Sequence, residues 1–292
     1  MTPRTAREAL DDAQHALERA GVDGARADAR ILLSAALAMP LNRIDTCLRD
    51  PLPPAADEKL TSMTRERAAR RPLAYVTGET EFLGFAFRCD ERALVPRPET
   101  EILIETVLPS LAPPAPPPTV IDVGTGTGCI GLSLAKLVPG SRIIVSDIST
   151  DALALANENA TALGVLDRVE FLSGAYLDPA RDAGLCEEID CLVSNPPYIP
   201  VADVDSLMPE VAEHEPRGAW LGEGQDGTDA YARLIEQAAV DLTRLRLAAF
   251  EVGIGQAQIV GALCSAAWPG WEVSITEDLS GIERIVTAEQ PR

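Results

Sequence analysis

Apolar and polar positions change rhythm twice along the chain. Over about the first 75 residues, apolar side chains recur at the spacing of helices with one buried face. Thr5 to Ala20 is rich in alanine, leucine and charge, and Gly21 is well placed to end that helix. Ala25 to Leu37 repeats the pattern, with Pro40 beyond it, and Asp57 to Arg71 makes a third helical stretch ended by Pro72. No strand-like alternation occurs here, so residues 1–75 read as a small helical domain. The rhythm then shortens. Glu81 to Arg88 is aromatic and alternating around Gly84, the pattern of a β-hairpin, and residues 76–95 read as a hairpin linker.

Residues 96–292 read as a second domain. An amphipathic helix follows Val95–Glu101 and runs to about Leu111, and Pro113 to Pro118 reads as a stiff surface linker. Beyond it, strands and helices alternate. Buried strands are predicted at Val120–Val123, Arg142–Asp147, Val169–Leu172, Asp190–Asn195 and Leu245–Val252. Helices are predicted at Ile130–Leu137, Ala152–Leu163, Tyr231–Arg244 and Gln256–Ala267. That alternation predicts a parallel, doubly wound α/β sheet. Trp271–Thr276 and Arg284–Ala288 have no helix between them and predict an antiparallel edge, for seven strands in all.

Composition narrows the function classes. The 292 residues are 46% apolar, enough for a sizeable core, and no stretch approaches the roughly 20 apolar residues of a membrane helix. Met1 to Ala20 carries charges throughout, so no secretory signal is expected and a cytoplasmic location is. A net charge of −20 argues against general binding to a phosphate backbone. The six cysteines are scattered without a C-x-x-C pair and there are only two histidines, so neither a metal site nor a disulfide framework is expected.

Two segments carry candidate chemistry. Asp122-Val123-Gly124-Thr125-Gly126-Thr127-Gly128 follows a buried strand and opens a helix, where glycines allow a tight turn and close approach of a ligand. Gly126, Gly128 and Gly131 also fit the dinucleotide fingerprint G-x-G-x-x-G. Asp147 ends the next strand, where a carboxylate can accept both hydroxyls of a ribose or cap the following helix. NAD and S-adenosylmethionine both contain that ribose, so these residues leave the ligand open. Ser194-Asn195-Pro196-Pro197-Tyr198 follows the fourth strand. Its prolines remove two N–H donors, leaving carbonyls that, with the Asn195 side chain, can accept the two hydrogens of a planar NH2 group. Tyr198 offers a flat face for that group. The bland alternative is a proline turn ending a strand.

N-P-P-Y after the fourth strand, with the glycine loop after the first, resembles the signature of amino-group methyltransferases. The wider chain resembles the HemK/PrmC family of protein-(glutamine-N5) methyltransferases, on Arg71–Tyr75, Gly78-Glu79, Phe82, Val95–Glu101, Glu215-Pro216, Asp226-Gly227, Tyr231, Glu251–Gly253, Gln256, Asp278-Leu279, Gly281 and Arg284. The resemblance implies a class I, Rossmann-like methyltransferase domain that uses S-adenosyl-L-methionine to methylate the glutamine of the GGQ motif in peptide chain release factors. It implies that Gly124, Thr125, Gly126, Thr127 and Gly128 wrap the methionine part of the cofactor and that Asp147 holds its ribose. Asn195 would touch cofactor and substrate, and Asn195, Pro196, Pro197 and Tyr198 would bind the glutamine amide. Tyr176 would stack near the adenine, although Ala175-Tyr176 stands where the family commonly has Asp-Trp. Arg97–Thr100 reads equally as cofactor-pocket lining and as a proline-capped helix start. The helical domain would dock the protein substrate. A monomer without direct nucleic-acid or membrane contact is expected. A ribosomal-protein glutamine methyltransferase and a DNA or RNA amino-methyltransferase are the alternatives. An NAD-dependent oxidoreductase would leave Asn195–Tyr198 without a role.

Overall fold

A computed structural model describes residues 4–111 and 117–291. Of the run Pro113–Pro118, residues 113–116 lie outside the described residues. Two compact units are present: Met1–Glu79 with Met208–His214, and Thr80–Leu207 with Glu215–Arg292.

The first unit is helical, with helices at Ala6–Arg19, Ala25–Leu37, Ile44–Cys47, Pro54–Ala68 and Leu73–Thr77. A capping box opens the first of them: Glu8 N–H donates to the Thr5 hydroxyl, and Thr5 N–H donates to the Glu8 carboxylate at 2.7 Å. The helix expected from Asp57 starts at Pro54, because proline at the first helical position forfeits no hydrogen bond and arrives with φ preset. Leu17, Leu32, Leu33, Ile44 and Leu60 fill the core.

A distant segment completes this unit. Glu210–His214 forms a single π-helical turn, in a stretch the sequence reading leaves irregular. The buried Glu210 carboxylate accepts from Arg67 Nη1 at 2.8 Å, Arg70 Nε at 2.8 Å and Arg70 Nη2 at 2.7 Å. Asp28 accepts from Arg67 Nε at 2.8 Å. Burial alone would raise the Glu210 pKa, but the hydrogen bonds from Arg70 and Arg67 outweigh it and hold the carboxyl at about 2.

In the second unit, β1 (Glu79–Phe82) and β2 (Phe85–Arg88) form the hairpin. It turns through Leu83 and Gly84, both at positive φ. The seven-stranded sheet contains β3 (Thr119–Val123), β4 (Arg142–Asp147), β5 (Val169–Ser173), β6 (Cys191–Ser194), β7 (Leu247–Glu251), β8 (Glu272–Glu277) and β9 (Glu283–Glu289). Their order is β5-β4-β3-β6-β7-β9-β8, with β3 to β7 parallel and β9 antiparallel to both β7 and β8. Alternate residues face opposite layers. Ile121, Ile144, Leu192 and Phe250 join one core with the helices Asp229–Asp241 and Ala257–Ala267. Val120, Val145, Val193 and Ala249 join the other with the helices Pro98–Leu111 and Cys129–Leu137. The chain runs outward from β3 to β5 and returns to β6 on the other side of β3. That leaves a topological switch between β3 and β6.

Glu210→Gln is expected to destabilise the helical unit by about 3 kcal/mol, since it breaks a buried pair and leaves two arginines facing an amide. The folded pKa lies below the ordinary glutamate value of 4.5, so the Glu210 contribution is present above that pH and is lost as pH falls toward 2. Helical circular dichroism during thermal melts across that range checks both points. Coincident wild-type and variant melts at pH 6 would show that the ion pair does not hold the unit.

Candidate active site

The candidate residues stand at the carboxyl ends of three adjoining parallel strands. Val123 of β3 is in register with Ser146 of β4 on one side and with Ser194 of β6 on the other. The next residues along the chain are Gly124, Asp147 and Asn195, so the register brings the glycine loop, the acid and the N-P-P-Y corner together. The Ser194 hydroxyl fastens this end by donating to the Val123 carbonyl at 2.7 Å.

The glycine loop owes its shape to backbone that only glycine adopts cheaply. Gly124, Gly126 and Gly128 have φ of 73°, 55° and 85°. Gly124 N–H and Thr125 N–H both donate to the Ser146 carbonyl, at 2.8 and 3.0 Å. Below the loop, Asp122 Oδ2 accepts from the Thr125 hydroxyl at 2.6 Å and from Gly131 N–H at 2.9 Å. Burial pushes Asp122 up to about 6. A side chain on Gly131 would lie about 3 Å from Val145 and Asp122, so its absence serves helix–strand packing. Beside Gly124 a Cβ would meet nothing within 4 Å, which leaves open space along the loop. Thr125 and Thr127 are buried, and the Thr127 hydroxyl has no partner.

Asp147 ends β4. Its Oδ2 accepts from Gly126 N–H and its Oδ1 from Ser149 N–H, each at 2.9 Å. A carboxylate can accept more hydrogen bonds than these, and a vicinal diol would bring two donors to it. Burial raises its pKa against the pull of those backbone donors. After β5, Gly174 N–H donates to the Asp147 carbonyl at 3.0 Å. Two residues on, Tyr176 sits at φ 51°, a left-handed backbone conformation that costs a tyrosine about 1 kcal/mol or more. These residues fit S-adenosylmethionine: open space runs along the glycine loop, a carboxylate ends the adjoining strand, and an aromatic ring stands on the next loop.

The N-P-P-Y corner runs alongside 217–222, with Ile199 N–H donating to the Trp220 carbonyl and Gly222 N–H to the Ile199 carbonyl, both at 2.9 Å. Gln256 braces it. Its Nε2 donates to the Tyr198 carbonyl at 2.9 Å and to the Asp226 carbonyl at 2.7 Å, while its Oε1 accepts from Gly253 N–H at 2.9 Å. Gly227, at φ 72°, passes so close that a Cβ would lie 2.2 Å from the Tyr198 carbonyl oxygen. The Tyr198 hydroxyl faces Glu251 Oε1 at 3.4 Å. Burial raises the Tyr198 pKa, with the Glu251 charge adding to it. Asn195 is half-buried, and its Nδ2 lies 3.4 Å from the Thr100 hydroxyl.

Arg97–Thr100 forms the start of the helix Pro98–Leu111, with Glu99 in its first turn. Arg97 is turned onto Glu215, whose fully buried carboxylate accepts at 2.6 and 2.7 Å. Thr100 points to Asn195. The sequence reading gave Thr100, Gln256, Glu251 and Asp122 no individual roles, although each lies within a motif it quoted. The residue type was the available signal: a polar group beside buried strand ends needs a partner.

Two family models match the chain: PrmC N-terminal domain over residues 8–78, and Methyltransferase small domain over residues 98–211. A release factor glutamine methyltransferase of Cereibacter sphaeroides is 41% identical over 286 residues, covering 98% of this chain and 99% of that protein. One from Moorella thermoacetica is 40% identical over 284 residues, covering 97% and 98%. Among solved structures, the N-terminal domain of human METTL16 in complex with SAH superposes with a TM-score of 0.53 at 18% identity, covering 78% of this chain and 84% of that one. At that identity the likeness is one of fold.

Gln256→Ala is expected to cost roughly 1–3 kcal/mol, because it strands two carbonyls and one N–H at a buried corner. Chemical denaturation measures that loss. A midpoint equal to wild type would show that water replaces the side chain without penalty.

Proposed function

Since the chain belongs to the release factor glutamine methyltransferase family, we propose that it methylates the side-chain amide nitrogen of the GGQ glutamine in a peptide chain release factor, with Asn195 to Tyr198 holding that amide. The register of Val123 with Ser194 carries the reading, because it sets the N-P-P-Y corner beside the glycine loop. When bound, S-adenosylmethionine supplies an electrophilic methyl group on a positively charged sulfur. Gly124 to Gly128 would hold its methionine part, Asp147 would accept from its ribose, and Tyr176 would pack near its adenine.

The chemical difficulty is the nucleophile, since an amide nitrogen shares its lone pair with its carbonyl. The remedy is position and charge. Asn195 Oδ1 and the Pro196 carbonyl accept the two N–H hydrogens and aim the nitrogen. Pro196 and Pro197 bring no N–H of their own to compete, and the Tyr198 ring supports the flat amide. As nitrogen bonds to the methyl carbon, the carbon–sulfur pair stays with sulfur as a neutral thioether; the nitrogen turns positive, the same two acceptors hold it more strongly than before, and one of its protons is then lost to water. To the helical unit, which matches PrmC N-terminal domain, we assign the docking of the release factor. No helix among the described residues is long and apolar enough to cross a membrane. We place the reaction in the cytoplasm, with the enzyme acting as a monomer and without direct nucleic-acid contact.

Incubation with a labelled methyl donor is expected to label release factor at one glutamine, and to leave ribosomal protein and DNA unlabelled. Label on either of the latter instead would replace the substrate. Asn195→Ala is expected to lower kcat at least about 100-fold, near 3 kcal/mol, with cofactor affinity little changed. Asp147→Ala is expected to weaken cofactor binding in calorimetry, and an unchanged titration would remove Asp147 from the ribose.

A further inference from the structure

An asparagine presents an oxygen and an NH2 of nearly equal size, and only the oxygen serves an incoming amide hydrogen. With the side chain flipped, NH2 would face NH2. On the reading of Asn195 given above, the site needs something that fixes which end points outward.

We infer that Thr100 and Glu251 fix that orientation, making them positioning residues for Asn195. Thr100 sits in the first turn of the helix Pro98–Leu111 and is 2% exposed. Its hydroxyl lies 3.4 Å from Asn195 Nδ2. A hydroxyl holds one proton, so it is free to accept from Nδ2 when that proton is committed elsewhere. The acceptor nearest to hand for that proton is Glu251. Register of Ser194 with Phe250 places Glu251, the last residue of β7, beside Asn195. The residue is 2% exposed, and among the described residues its Oε2 has no hydrogen-bond partner, which leaves an acceptor oxygen open. Burial disfavours its charge, and the neighbouring Thr100 hydroxyl is the largest influence opposing that penalty.

The chain of donors then has one direction. With Glu251 ionised, its carboxylate only accepts, so Thr100 donates toward it, Asn195 Nδ2 donates to Thr100, and Asn195 Oδ1 is left facing outward. A neutral donor in place of Glu251 would reverse the sequence and turn the asparagine. The same carboxylate receives the Tyr198 hydroxyl at 3.4 Å, and the Tyr231 hydroxyl pins its backbone carbonyl at 2.8 Å. Glu251 thus anchors both ends of the N-P-P-Y corner.

Thr100→Val keeps the shape and removes the hydroxyl, Thr100→Ala removes it without risk of a clash, and Thr100→Ser retains it. Valine and alanine are each expected to lower kcat for release factor methylation about tenfold, with KM for the cofactor unchanged. Serine is expected to restore most of the loss. In an Asn195→Ala background, Thr100→Val is expected to have no further effect, since nothing remains to orient. Valine and alanine variants within twofold of wild type, beside an impaired Asn195→Ala, would overturn the inference and leave the reading of Asn195 standing. Equal additive losses in both backgrounds would also overturn it. Full activity of Asn195→Ala would overturn that underlying reading, and this inference with it.

Discussion

Register between neighbouring parallel strands is the constraint on which the site depends. Side chains alternate along a strand, so a slip of one residue would turn every side chain to the opposite layer. In β3 that would exchange Ile121 with Val120 and Asp122, and the two cores would lose their sorting of residues. The apolar faces therefore fix where each strand ends relative to its neighbours. The ends of β3, β4 and β6 are where Gly124, Asp147 and Asn195 stand. Packing energy distributed over the whole sheet thus sets the position of a few polar atoms.

The N-P-P-Y corner shows how a local feature makes demands on distant residues. Its prolines supply carbonyls but no N–H, so acceptors outnumber donors at a largely buried place. Gln256 supplies N–H groups for the Tyr198 and Asp226 carbonyls, and Gly227 gives up a side chain so that the backbones can meet. Beneath them, Glu251 and Thr100 face Tyr198 and Asn195. Of the hydrogen bonds around this corner, many run to residues more than fifty positions away in sequence.

The sheet was legible in the sequence because periodicity is a local property: a buried strand such as Val120–Val123 and a helix such as Ala152–Leu163 each announce themselves within a few residues. Gly126 and Gly128 were legible for the same reason, although Gly131 fitted a nucleotide fingerprint while serving helix packing. Boundaries were less legible. The helix read from Asp57 starts at Pro54. The brace from Gln256 and the links to Thr100 and Glu251 were illegible as contacts, because no spacing rule joins residue 198 to 256 or 100 to 195. The π-helical turn at Glu210 was illegible altogether, since five residues of irregular backbone have no period.

That turn bears on the order in which the protein is made. The arginines at 67 and 70 leave the ribosome well before their acid, which is 143 residues later than Arg67. At ordinary elongation speeds the interval is on the order of ten seconds. During it the newborn helical segment holds two nearby guanidinium groups whose shared carboxylate is not yet made, with Asp28 available to Arg67. Its final consolidation waits on chain that belongs mostly to the other unit, so maturation of the first part to be synthesised is timed by translation of a much later part.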